Sequence, residues 1–301
     1  MLTKHSKKFL FIRDVLVIFV VVFSMTHYII KVGATTSYAF QKTFGWGVQD
    51  GSSAFQICTS GCRAGIAGSG VGQFNYPASI AVDHSGNIYV ANNGASATQK
   101  FAQNGTYTTS FSFAGAMAFD ASDNIYVTNA GLARIEEYDS SGAFIKTFGW
   151  GVQDGTSAFQ ICTSGCQSGI AGGGNGQFSG IGYISVDSSG NIYVPDWNYS
   201  HVQRFNSDGT FSLMFGSGGA GDGQFSISGS VVADASGNMY VTDEDHNRIE
   251  KFDSSGTFLR TWGWGVQDGT SAFQICTSGC QAGIGGAGFF VLACIAASFS
   301  A

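Results

Sequence analysis

Val232 to Gly263 reads VADASGNMYVTDEDHNRIEKFDSSGTFLRTWG. The run ending at Asp234 leads into Ala235-Ser236-Gly237-Asn238, and Met239 to Asp243 leads into Glu244-Asp245-His246-Asn247. Arg248 to Phe252 stops at Asp253-Ser254-Ser255-Gly256, and Thr257 to Gly263 closes the unit. Short runs that alternate apolar and polar residues, each cut off by Gly, Asn, Asp or Ser, are the signature of antiparallel strands. Four such strands form one small twisted sheet with faces left to cover. The sequence covers them by repetition.

The second strand shows the copies most clearly. Asn87-Ile88-Tyr89-Val90, Asn124-Ile125-Tyr126-Val127, Asn191-Ile192-Tyr193-Val194 and Asn238-Met239-Tyr240-Val241 are one element, spaced 37, 67 and 47 residues apart. A four-stranded unit of about 40 to 50 residues has the period of a propeller blade. The expected fold class is therefore all-β, a β-propeller of four-stranded blades.

Composition agrees. The 301 residues include 44 glycines, 2 prolines, 14% aromatic and 11% charged residues, which suits many tight turns around a packed core and is unlike a disordered chain. The formal net charge is -6. Five of the 14 basic residues (Lys4, Lys7, Lys8, Arg13, Lys31) lie at the N-terminus, and without them and Asp14 the body holds 9 basic and 19 acidic residues. So acidic a body argues against nucleic acid as a partner. Lys4, Lys7 and Lys8 precede an apolar run from Val15 to Ile30, and Val32-Gly33-Ala34 resembles a small-residue cleavage site. Residues 1–34 thus read as a signal peptide or as an uncleaved membrane anchor. Either places the body outside the cell or in the cell envelope, with membrane contact only through that segment if it is retained.

The repeat resembles the NHL-repeat family. That family's blade runs from GQF through an apolar strand to Val-Asp, then Gly-Asn-Ile-Tyr-Val, an Asp followed by Asn-Arg-Ile, and Phe-Asp-x-x-Gly. The fourth unit matches at Gly223-Gln224-Phe225, Gly237-Asn238, Asp243, Asn247-Arg248-Ile249 and Phe252-Asp253. At the acid position the other units carry Asn92, Asn129 and Asp196, and at the arginine position Ala97, Arg134 and His201. The resemblance implies a propeller over residues 35–287. It also implies a structural role for Asp243 with Arg248, and for Asn129 with Arg134, in tying a loop to its strand. It does not select a function, because the family includes lyases, sensor ectodomains and binding scaffolds.

The long spacing comes from an insert. FGWGVQDG-S/T-SAFQICTSGC occurs from Phe44 to Cys62 and from Phe148 to Cys166, and recurs from Trp262 to Cys280 with Trp in the first place. The inserts occupy about 45–71, 149–175 and 263–287 and are expected to project from one face as loops between blades. Residues 288–301 form a degenerate tail in which Ala293-Cys294-Ile295-Ala296 parallels Ala78-Ser79-Ile80-Ala81. The expected organisation is four full blades plus partial strands of a closing blade, derived from a six-bladed propeller, with the chain a truncated member of that class.

Each insert holds a CxxxC pair: Cys58 and Cys62, Cys162 and Cys166, Cys276 and Cys280. Outside the cytoplasm these read as local disulfides, with Cys294 left as a free thiol. Zinc is the rival reading, but each insert offers two ligands and no histidine. Trp46, Trp150 and Trp264 sit on glycine-flanked loops and are candidate contact residues for protein or carbohydrate, or else caps on the blade core. The acidic run Asp243-Glu244-Asp245 lacks the spaced ligands of a calcium loop. In lyases of this fold, histidines from several blades hold a metal near the axis. Here His84 falls in a first-to-second-strand turn, and His201 and His246 fall in second-to-third-strand loops, so the three are not expected to converge. The function expected is a non-catalytic exported binding scaffold with an unknown protein or carbohydrate ligand and no cofactor. The alternatives are a metal-dependent lyase or hydrolase, or a non-functional fragment of a longer protein.

Overall fold

The computed structural model describes residues 40–226 and 228–285. The chain divides into two units, residues 1–41 and 42–301, and all but Phe40 and Gln41 of the described residues belong to the second. The N-terminal signal or anchor, the tail from 288 onward and Cys294 lie outside the described residues. Among the described residues no helix is long and apolar enough to cross a membrane.

The regular secondary structure of the described residues is nearly all strand, with two single-turn 3-10 helices at Asn93–Ala95 and Ala130–Leu132. Four antiparallel sheets follow one another along the chain. The first comprises Pro77–Val82, Ile88–Asn92, Ala97–Phe101 and Tyr107–Phe111. The second comprises Met117–Phe119, Ile125–Asn129, Arg134–Tyr138 and Phe144–Trp150. The third comprises Ser185–Val186, Ile192–Asp196, His201–Phe205 and Phe211–Phe215. The fourth comprises Ser228–Ala233, Met239–Asp243, Arg248–Phe252 and Phe258–Trp264. In each, strands pair in chain order, as a meander must.

The turns explain the repeat. In the first turn of each unit an aspartate accepts from the backbone N–H four residues on, as Asn87 to Asp83 at 2.8 Å and Asn238 to Asp234 at 2.9 Å. The asparagine side chain closes the same ring, Asn87 to Asp83 at 2.8 Å. The residue before the asparagine must adopt a left-handed conformation. Glycine supplies it at Gly86, Gly190 and Gly237, and Asp123 takes it in the second unit at φ 61°.

First strands pack in series: Pro77–Val82 against Met117–Phe119, that against Ser185–Val186, and that against Ser228–Ala233. Between consecutive sheets lie three separate cores. Tyr89 and Ala91 meet Met117 and Val127; Tyr126, Ile135 and Phe148 meet Ile192 and Phe205; Tyr193, Val202 and Phe215 meet Val231 and Phe252. Several four-stranded sheets stacked face to face through their first strands are consistent with a β-propeller.

The inserts differ from expectation. They are not loops but β-hairpin arms. In the second, Phe144–Trp150 runs on past its sheet and pairs with Phe159–Cys162, so the sheet gains a fifth strand. Phe273–Cys276 does the same for the fourth sheet. The first insert is a free-standing hairpin, Thr43–Trp46 with Phe55–Cys58. The register is the same in all three, with Trp46 opposite Phe55, Trp150 opposite Phe159 and Trp264 opposite Phe273.

Candidate binding surface

In the first, third and fourth sheets the acid position at the end of the second strand holds the segment that enters its own sheet; in the second, Asn129 accepts from Leu132 N–H instead. Asp196 accepts from the N–H groups of Ser179 (2.7 Å) and Gly180 (2.9 Å), Asn92 from Asn75 (2.6 Å) and Asp243 from Ser226 (3.1 Å). Asp243 is 1% exposed and also lies 3.0 Å from Arg248 Nε and 2.8 Å from His246 Nδ1. Arg248 donates to the carbonyls of Ala220, Gly221 and Gln224 at 2.7 to 2.9 Å. Asn129 and Arg134 are opposed across their strands, but their side chains meet through a third residue. Glu136 Oε1 accepts from Asn129 (3.1 Å) and from Arg134 Nε (2.9 Å), and its Oε2 accepts from Tyr138 (2.8 Å).

Glu136 belongs to a repeat position that the sequence did not single out. Its counterparts are Gln99, Gln203 and Glu250, all buried. Gln99 accepts from Gly72 N–H (2.7 Å) and donates to Gln73 O (2.8 Å); Gln203 does the same to Gly176 and Gln177, each at 2.6 Å. The reach of 26 or 27 residues hides this link from local pattern reading. In the fourth sheet Arg248 takes over the carbonyls, and its guanidinium lies 2.9 Å from Glu250 at an angle that gives an ion pair rather than a hydrogen bond. Burial pushes the Glu250 carboxyl up to about 8, an effect that Arg248 offsets only in part.

The histidines do not come together. His84 is exposed and pairs with Asp123 at 2.7 Å, while His246 pairs with Asp243. His201 differs from the loop expected for it: it opens the third strand of its sheet, is 4% exposed and stacks on Tyr199. Burial lowers its pKa, against an opposing pull from Asp196. Among the described residues no group of three or more His, Cys, Asp or Glu is placed to hold a metal ion.

A cleft of about 790 Å³ lies where the first strand of the first sheet and the segments leading into the first strands of the second and third meet the connections that follow the second strands. Phe113, Tyr138 and Trp197 give it aromatic walls, and Ser112, Asn129 and Glu136 give it polar ones. Glu136 spends both oxygens on Asn129, Arg134 and Tyr138, so it frames the cleft rather than offering a charge to it.

The hairpin arms are built alike. Cys58–Cys62, Cys162–Cys166 and Cys276–Cys280 are disulfide-bonded, with Cα atoms 5.6 to 5.7 Å apart. Beside each bridge an aspartate and a glutamine lock the turn. In the second arm Gln160 Oε1 accepts from Gln153 N–H (2.8 Å), its amide donates to Asp154, and Thr156 N–H donates to Asp154 (3.0 Å). The set recurs with Gln56 and Asp50, and with Gln274 and Asp268. Hydrogen bonds led by the glutamine hold the Asp50 carboxyl down at about 2, and Asp154 and Asp268 are lowered from the same cause. A backbone bond from an isoleucine late in each arm closes its base: Ile66 N–H to Trp46 O, Ile170 to Trp150 and Ile284 to Trp264, at 2.6 to 2.8 Å.

Two arms seat on the sheet that follows them. Phe44 and Phe55 pack on Phe101, and Phe148 and Phe159 pack on Phe205, at centroid distances of 5.0 to 6.0 Å. Trp46 and Trp150 are half-buried, and Trp264 is exposed. The arm's polar edge remains in solvent: Gln49, Asp50 and Gly51 in the first arm, Gln153, Asp154 and Gly155 in the second, and Gln267, Asp268 and Gly269 in the third are exposed.

No family model matches the chain. No curated protein matches it either. Solved structures do resemble it in outline. One is a protein of unknown function from Bacteroides caccae, with 16% identity, a TM-score of 0.43, and coverage of 65% of this chain and 64% of that one. Another is the hydrazine synthase of Kuenenia stuttgartiensis, with 12% identity, a TM-score of 0.44, and coverage of 62% and 48%. A third is a nidogen/laminin complex, with 14% identity, a TM-score of 0.44, and coverage of 73% and 81%. This chain therefore spans less than two thirds of the length of the first two. Likenesses this distant carry nothing about activity.

Proposed function

We propose that this chain is an exported β-propeller of NHL type that serves as a binding scaffold, with its disulfide-tipped arms as the contact surface for a protein or carbohydrate. The observation that carries the reading is the threefold recurrence of one rigid arm. Each repeats the same bridge, the same Asp–Gln lock and the same register, and each keeps a tryptophan beside an exposed Gln-Asp-Gly edge. Rigidity of that kind lowers the ordering cost of association, which is where a binding loop gains most. The three bridges also support an oxidising compartment outside the cytoplasm.

Under this reading Asp243 with Arg248, and Asn129 with Arg134 through Glu136, hold the scaffold together rather than carry chemistry. The chain's four sheets are blades of a ring that the family resemblance would complete at six.

A glycan array probed with the oxidised protein tests the carbohydrate arm of the proposal. Binding that disappears when Trp46, Trp150 and Trp264 are all changed to alanine, with the unfolding transition retained, is the expected result. The same triple variant on a panel of extracellular proteins tests the protein arm. Stoichiometric zinc in purified protein, together with turnover of any ester or lyase substrate, would reverse the reading toward an enzyme.

A further inference from the structure

Because the sheets repeat, exposure can be compared position by position on the face that each turns to its successor. The second-strand tyrosine is buried in the first three sheets (Tyr89 0%, Tyr126 1%, Tyr193 1%), while Tyr240 is half-buried. At the third-strand position Ile135 and Val202 are fully buried and Ile249 is half-buried. At the fourth-strand position Phe148 is 0% and Phe215 6% exposed, whereas Trp262, like Phe111 of the first sheet, is half-buried. The arm departs furthest. Phe55 and Phe159 are half-buried against the next sheet, but Phe273 is 62% exposed, and Ile275 is 49% exposed against 38% for Ile57 and a half-buried Ile161. Among the described residues no sheet follows the fourth.

We propose that residues 286–301 of this same chain cover that face. The chain leaves the third arm as it leaves the second. Gly283 N–H donates to His246 O and Ile284 N–H to Trp264 O, as Gly169 does to Leu132 and Ile170 to Trp150. In the second copy the residues that follow deliver Phe178 and Ile181, 0% and 1% exposed, into the core beside Tyr126, Phe148 and Phe205. The third copy departs from the equivalent point with the sequence GAGFFVLACIAASFSA. None of those residues is charged, and Phe289, Phe290, Val291, Leu292, Ile295 and Phe299 supply the apolar surface. Fully extended, sixteen residues reach roughly 50 Å, well beyond the ~20 Å width of a four-stranded face. An uncharged strip of that length follows directly on the third arm, and it has the reach and the apolar surface to remove the fourth sheet's face from water.

Hydroxyl-radical footprinting resolved by residue tests this on three exported proteins: the full chain, a chain ending at Gly285, and the full chain carrying Leu292→Asp. Phe159 and Ile161 serve as internal standards. In the full chain, labelling of Phe273 and Ile275 is expected to fall to the level of those standards and to rise several-fold in the truncated chain and in the Leu292→Asp variant. Phe148, Phe178 and Phe205 must stay protected in all three, which separates loss of cover from loss of fold. Equal labelling of Phe273 in the full and truncated chains would overturn the proposal. So would protection that vanishes on dilution, since that result assigns the face to a second copy.

Discussion

At the scale of single residues, the fourth sheet carries its most exacting chemistry in Arg248. Its side chain is fully buried between Asp243 and Glu250 and donates to four backbone carbonyls, those of Ala220, Gly221, Gln224 and Gln281. Replacing it with alanine strands the buried Asp243 carboxylate without its guanidinium, so Arg248→Ala is expected to cost about 3–5 kcal/mol in a urea unfolding experiment. A cost below 1 kcal/mol would contradict this account. Glu250 gives a pH signature of its own. Its folded pKa, raised by burial from the ordinary 4.5 to about 8, means that the folded protein keeps a proton the unfolded chain gives up. Stability contributed at this site is therefore present below about 4.5, falls as pH rises, and is lost above about 8. Glu250→Gln, which installs the residue found at Gln99 and Gln203, should raise the unfolding midpoint at pH 8.5 and leave it nearly unchanged near pH 4. A shift of that size bounds the gain at roughly 5 kcal/mol. The sequence showed Asp243 and Arg248 because they match a known pattern. It hid the position shared by Gln99, Glu136, Gln203 and Glu250, because the partners that reveal it, those of Gln99 and Gln203, lie 26 or 27 residues away.

Among the elements, the arms hold the largest departure from the sequence reading. Gly-Trp-Gly and Thr-Ser-Gly signalled turns, and the four-residue run Phe-Gln-Ile-Cys between them is too short to declare itself a strand. Only pairing with an extended fourth strand makes it one. The blades themselves were legible because their turns are marked by Asp and Asn and their strands alternate. Each bridge closes a five-residue loop, so it constrains the unfolded chain little. Changing Cys162 and Cys166 together to serine should cost about 2 kcal/mol or less. Increased hydrogen exchange in that variant should be confined to the second arm, and exchange spreading into Ile192–Asp196 would contradict a local role. Gly176 is the more demanding position. A Cβ there would lie 2.1 Å from the Phe159 ring, and its φ of +79° disfavours any side chain. Gly176→Ala should lift Phe159 off Phe205 and destabilise by about 1–3 kcal/mol, read by thermal unfolding with Gly131→Ala, where a Cβ meets nothing closer than 3.9 Å, as the tolerant control.

For the whole molecule, the stack has a beginning as well as an end. Ile80 and Val82, on the first strand of the first sheet, are 52% and 53% exposed, while Val231 at the place matching Ile80 is 2% exposed. Ile80→Lys should therefore leave the unfolding midpoint unchanged and reduce self-association measured by light scattering, whereas Val231→Lys should unfold the protein. Equal damage from both would mean that the first sheet has a neighbour. The repeat made four sheets readable in advance. It could not say which faces lack a partner, because the strands at the ends of the stack have the same composition as those inside it. The arms carry a further consequence. Under the proposed function, three near-identical tips on one chain would be three docking points of one kind. A ligand that displays the same group more than once could engage several at a time, and linked engagement multiplies affinity by about 10²–10⁴ when the spacing matches. Such a protein would ignore a soluble monovalent ligand and hold fast to a surface coated with it.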